Sequence, residues 1–210
     1  MIRNLIAFFG LVGLPRAEGA SAECEDEVDT GLASRMRALD RDPYLSIADP
    51  DLRLISVFDD LKYDRADLDM LTGPMRRRAV RGLEPLGFRQ VSGAVIENRS
   101  ADVRVVMPKQ HSLGASPFDA ARYLSRRSRD YVLLTPTQVA CQFIDSYPVE
   151  DAVERIRVLV AKHPINLLKI ADHLEHNDRH ATFRPAIGHL KFVQREAVEA
   201  EPLRSRRALR

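Results

Sequence analysis

Three short runs rich in branched residues, Phe88 to Val91, Ala94 to Asn98 and Val103 to Met107, succeed one another with only turn material between them, Ser92-Gly93 and Asn98 to Ser100. Strands joined by so few residues run antiparallel, so the spacing predicts a β-meander in the middle of the chain. Pro108 closes the third run. Tyr131 to Leu134 is a candidate fourth strand.

The residues after the fourth run are equally constrained. In Thr135-Pro136-Thr137-Gln138 the Thr135 hydroxyl can accept from the backbone N–H three residues on, and Gln138 can reach back to the Thr135 N–H. Pro136 takes the first helical position, where a missing N–H costs nothing. A helix is therefore expected from Pro136 to about Asp145. Pro148 and Pro164 open two more, over roughly Val149 to Lys162 and Ile165 to His176, with apolar residues at helical spacing in each. A last helix is expected between Asp178 and Ala200, interrupted by Pro185 and Gly188.

Upstream of the meander, a helix with an Arg-rich outer face is expected from about Pro74 to Leu86, ending at Gly87, a residue suited to the left-handed closing position. Leu52 to Leu61 fits a buried helix or a short strand. Residues 23–51 are polar and acidic, with Asp-Pro at 42–43 and 49–50, and read as a linker holding at most a short helix near Leu32 to Leu39. The expected fold class is α+β: a small central mixed or antiparallel sheet with helices packed on it and a mainly helical C-terminal half. At 210 residues, 45% of them hydrophobic, the chain is long enough for one such domain, placed at 52–198 with a basic tail over 199–210.

The first 22 residues carry two readings. Arg3, the apolar run Leu5 to Leu14 and Ala20-Ser21-Ala22 have the three-part layout of a cleavable export signal, whereas Gly13, Pro15, Arg16 and Glu18 fit a cytoplasmic N-terminal helix ending in a turn. The run is too short to cross a bilayer, which takes roughly twenty apolar residues. Cys24 and Cys141 are too few and too far apart for a disulfide framework or a local metal pair. A single bridge after export and a buried thiol at Cys141 both remain open.

Net charge is only +2 although 30% of residues are charged, which argues against a uniformly basic nucleic-acid binder. The charges are segregated, however. Acids dominate between Glu23 and Asp69, while arginines cluster at Arg76 to Arg78, Arg122 to Arg129 and Arg204 to Arg210. The second cluster, with Tyr131 and Tyr147, suggests an aromatic-flanked surface for nucleic acid; a solvated helix face explains it as well. His173, His176 and His180 would share one face of an uninterrupted helix and suit a transition metal, but Asn177-Asp178 reads as a helix end followed by a cap. No Gly-x-Ser-x-Gly, Walker loop or dinucleotide fingerprint is present.

Asp67-Leu68-Asp69 places two carboxylates on one side of an extended chain. Asp102, at the start of the third meander strand, is a candidate third. Such a set of hard oxygen ligands suits Mg2+-dependent phosphoryl transfer; loop or helix-cap acids account for the same string. The order Asp-Leu-Asp, a helix ending Pro85-Leu86-Gly87-Phe88, two short strands, a strand entering Leu134-Thr135-Pro136-Thr137 and then helices resembles the small bacterial nucleotidyltransferase-like proteins of toxin–antitoxin and resistance systems. The resemblance spans roughly Leu52 to Leu190. It implies Asp67, Asp69 and Asp102 as metal ligands, Mg2+ as cofactor and nucleotide transfer as the activity. The segment Ile55-Ser56-Val57-Phe58-Asp59 lacks the Gly-Ser pair that positions phosphates in that family, so it implies equally a degenerate, non-catalytic member. The alternatives from other classes are a non-enzymatic binding or regulatory protein that uses its arginine surfaces toward nucleic acid or a protein partner, and an exported protein of another role.

Overall fold

The computed structural model describes residues 31–58, 71–108, 130–175 and 180–200. These residues form an α+β fold of six strands in one mixed sheet and six helices. In chain order, α1 (residues 31–37) runs into a 3-10 turn at Ala38–Arg41, and β1 (Leu45–Asp49) and β2 (Leu54–Val57) form an antiparallel hairpin. Then come α2 (Gly73–Leu83) with a 3-10 turn at Glu84–Leu86, the meander β3 (Arg89–Ser92), β4 (Val95–Asn98) and β5 (Val103–Val106), and β6 (Asp130–Leu134). Four helices complete the chain: α3 (Pro136–Ser146), α4 (Val149–Lys162), α5 (Leu167–Glu175) and α6 (His180–Ala200).

The expected meander is antiparallel throughout, with Arg89 opposite Glu97 and Glu97 opposite Arg104. The strand order is β1-β2-β6-β5-β4-β3. β6 therefore enters between the earlier β1–β2 hairpin and the three-stranded meander, parallel to β2 on one side and to β5 on the other. Each of its five residues is buried, as a strand covered on both faces requires. Tyr131 and Leu133 face a core with Ile55, Val57, Val103 and Val105, against which α1 and α2 set Leu32, Met36, Met75, Ala79 and Leu83. Val132 and Leu134 face the opposite way with Leu54, into a core filled by Val139, Phe143, Ile156, Val160, Leu174 and Phe183 of the C-terminal helices. Cys141 is buried within it; Cys24 lies outside the described residues.

Local chemistry sets the helix ends. The capping box forms as expected, with Gln138 N–H donating to Thr135 Oγ1 at 3.3 Å and Thr135 N–H to Gln138 Oε1 at 3.0 Å. α2 stops one turn before Leu86, and Gly87, at φ 89°, closes the 3-10 turn beyond it. α6 continues through Pro185.

One boundary differs from expectation. Part of the acidic linker, residues 31–49, belongs to the body of the fold: Leu32, Met36 and Leu45 are at most 5% exposed, and β1 is an edge strand. The Asp-Pro pair at 49–50 marks its hairpin turn, because Asp49 Oδ1 accepts the N–H groups of Asp51 and Leu52 in the manner of an Asx-turn. The outer edge of β1 is occupied by Asp40, whose Oδ1 accepts Ile47 N–H at 3.2 Å and lies 3.6 Å from Lys162 Nζ. No described helix is long and apolar enough to cross a membrane.

Candidate functional site

β2, β6 and β5 run in one direction, so their carboxyl ends define one edge of the sheet. At that edge the chain leaves β2 for α2, whose Met75, Ala79 and Leu83 pack on one face, and leaves β6 for α3, whose Val139 and Phe143 pack on the other. Neighbouring parallel strands whose helices depart to opposite faces create a crevice between them, the place where open α/β sheets bind ligands. The connection from β2 to α2 spans residues 58–72. It contains Asp67-Leu68-Asp69, which lie outside the described residues.

The described groups at this edge include hydroxyls, carbonyls, an amide, an imidazole and a guanidinium. Ser56, in register with Leu134, is fully buried, and its Oγ has no hydrogen-bond partner among the described residues. Phe58 is 1% exposed and meets the His163 ring edge-on, centroids 6.1 Å apart. Thr135, Thr137 and Gln138 are buried at the start of α3, and Thr137 Oγ1 accepts Asn166 N–H at 2.9 Å. On the β5 side Arg76 ties together the ends of both connections: its guanidinium donates to the carbonyls of Leu71 (3.3 Å), Met107 (3.4 Å) and Pro108. Burial of this guanidinium lowers its pKa. Met75 N–H donates to Thr72 Oγ1 at 3.4 Å, capping α2.

Asp102 stands elsewhere. It precedes β5, exposed and at φ 50°, and so belongs to the amino-terminal edge of the parallel strands. From there to Pro108 is about 20 Å along an extended chain. Two residues on, the Arg104 guanidinium holds Asp130 by two bonds, Nε to Oδ1 at 2.9 Å and Nη2 to Oδ2 at 2.6 Å. That hydrogen bond above all, with the nearby charges of Asp130, Glu97 and Asp102, raises the Arg104 pKa. Among the described residues no three His, Cys, Asp or Glu side chains are grouped to hold a metal ion, so they do not by themselves make a Mg2+ site.

The other candidates are dispersed. Tyr131 is core, 8% exposed, and Tyr147 donates its hydroxyl to Asp49 Oδ2 under the Arg155 guanidinium, 4.0 Å from its ring centroid. Neither ring is presented as a stacking platform; Arg122 to Arg129 lie outside the described residues. His173 is paired with Asp145 at 3.0 Å; His176 lies outside the described residues. The cluster of Tyr147 and Arg155 on the buried Asp49 leaves no local sequence signal because they lie 98 and 106 positions from it.

No protein family, curated protein or solved structure matches the chain.

Proposed function

We propose that the chain is a nucleotidyltransferase-like domain that holds a nucleotide at the carboxyl edge of β2 and β6, using Asp67 and Asp69. The observation supporting this is the divergence of α2 and α3 to opposite faces of the sheet, combined with the position of Asp67-Leu68-Asp69 in the β2 to α2 connection. Open α/β sheets bind ligands at such points, and a guanidinium, Arg76, stands beside the returning chain at Leu71. A divalent ion, when bound to the paired acids, would neutralise the nucleotide's phosphates. Asp102, implied as a third ligand by the family resemblance, belongs to the other end of β5 and is given no part in this reading.

The test is transfer from a radiolabelled nucleoside triphosphate in the presence of Mg2+, together with equilibrium dialysis of the same nucleotide, for the wild type and Asp69→Asn. Transfer that Asp69→Asn abolishes, with its circular dichroism unchanged, supports an active enzyme. Binding lost in Asp69→Asn without transfer in either protein supports a degenerate, nucleotide-binding member. Transfer or binding that Asp69→Asn leaves unaltered overturns the assignment, as does a wild type that neither binds nor transfers.

A further inference from the structure

β3 is the far edge of the sheet, and all four of its residues are exposed. Two shallow grooves flank it. One is lined by Arg76, Arg77, Arg81 and Gln90, the other by Arg89, Arg99 and Glu97, and Gln90 lines both. Five arginines and one glutamate therefore meet at one edge of a chain whose net charge is +2. The single acid is taken up by Arg99, Nε to Oε2 at 3.3 Å, on a side chain that is 85% exposed. Arg77, Arg81 and Arg89 are exposed and make no ion pair among the described residues.

The arrangement is specific in two respects. Arg77 and Arg81 are four residues apart on α2 and so project side by side from one helix face, while Arg89 and Arg99 stand on the other side of the strand. All of the cations are arginines, whose planar fork matches phosphate oxygens with two parallel bonds. β3 itself is a poor template for adding another strand: it is four residues long, carries Arg89 and Gln90, and its pairing with β4 slips between Gln90 and Ser92. Short, charged and bulged edges resist strand addition, which disfavours an extended acidic peptide as the occupant.

We propose that the β3 edge is a binding surface for a nucleic-acid strand, held through its phosphates by Arg77, Arg81, Arg89 and Arg99. It is separate from the carboxyl edge of β2 and β6 and stands whether or not that edge transfers nucleotides. Because the contacts go to phosphate rather than to bases, binding is independent of sequence and strongly dependent on salt.

Fluorescence anisotropy with a mixed-sequence single-stranded oligonucleotide tests this on the full chain. Four phosphate contacts predict an affinity about 50-fold lower at about 200 mM salt than at about 50 mM. The Arg77→Gln/Arg81→Gln/Arg89→Gln/Arg99→Gln variant should bind at background level. Each single exchange should reduce the slope of log affinity against log salt by about 0.7. These side chains are exposed, so thermal unfolding of the variants should match the wild type, and the single exchanges keep the test informative if the quadruple variant does not fold. Wild-type binding absent at low salt, or retained in the folded quadruple variant, overturns the proposal. Equal binding to a poly-glutamate peptide of the same charge also overturns it, in favour of an acidic protein partner.

Discussion

Arg104 and Asp130 are in register on the neighbouring parallel strands β5 and β6 and close a two-bond ion pair there. The Asp130 side chain is 4% exposed and that of Arg104 23%. The pair ends a row of alternating charge, Arg89, Glu97, Arg104, Asp130, that crosses four strands residue by residue.

The two partners should not be equivalent on mutation. Arg104→Met withdraws two charge-assisted hydrogen bonds from a carboxylate that water hardly reaches, at a cost of about 3 kcal/mol. Asp130→Asn leaves a guanidinium that can rehydrate, at a cost of about 1 kcal/mol. Urea unfolding of the two variants checks the order. Equal losses would mean that the pair behaves as a solvated surface bridge.

Tyr147 titrates abnormally. Burial, followed by its hydrogen bond to Asp49, pushes the phenol from its ordinary value of 10.0 up to about 12. The folded value lies above the unfolded one, so this contribution to stability is complete below about pH 10 and is lost as pH rises toward about 12. Tyrosinate absorbance of the folded protein should show one late-titrating tyrosine. In Asp49→Asn that midpoint should fall back toward the ordinary phenol value, and the alkaline loss of stability should become smaller with it.

Ser56 carries a buried hydroxyl with no hydrogen-bond partner among the described residues. Removing a group whose desolvation is uncompensated is neutral or favourable, so Ser56→Ala should leave stability unchanged or raise it by about 1 kcal/mol. Calorimetry decides the point, and a clear loss would mean that the hydroxyl is satisfied.

Gly87 holds φ 89°, and a Cβ there would come within 3.3 Å of Asn98 Nδ2. Asn98 donates through the same nitrogen to Leu86 O at 2.9 Å. Gly87→Ala therefore adds left-handed strain to a crowded contact and should cost about 1 to 2 kcal/mol. Restoring the wild-type melting temperature by a further change of Asn98 alone would place the cost in the contact rather than in the backbone.

Legibility in the sequence tracks the range of the interactions. The Thr135 cap, the meander and the helix over Val149 to Lys162 depend on residues a few positions apart, and all are found. β1 escaped because Leu45-Ser46-Ile47 lies between two Asp-Pro pairs, and the same dipeptide that suggests a linker also makes a hairpin turn when Asp49 bonds its own backbone. The pairing of β6 with β2 joins segments more than seventy residues apart, a choice made by tertiary packing alone. Of the three acids singled out, Asp102 is described, and its place at the opening of β5 depends on strand direction, which no local pattern reveals. The arginines at β3 come from a helix, a strand and a turn, and only the folded sheet brings them together.

The position of β6 also dictates when this protein can exist. Until Asp130 to Leu134 have emerged from the ribosome, the β1–β2 hairpin and the β3–β5 meander have no strand between them, and each exposes a flank of unpaired backbone. Nothing assembled from the residues before Asp130 can be the native sheet. Completion of the sheet therefore waits for well over half of the chain, and any hairpin or meander that forms before then has an open edge of the kind that molecular chaperones shield.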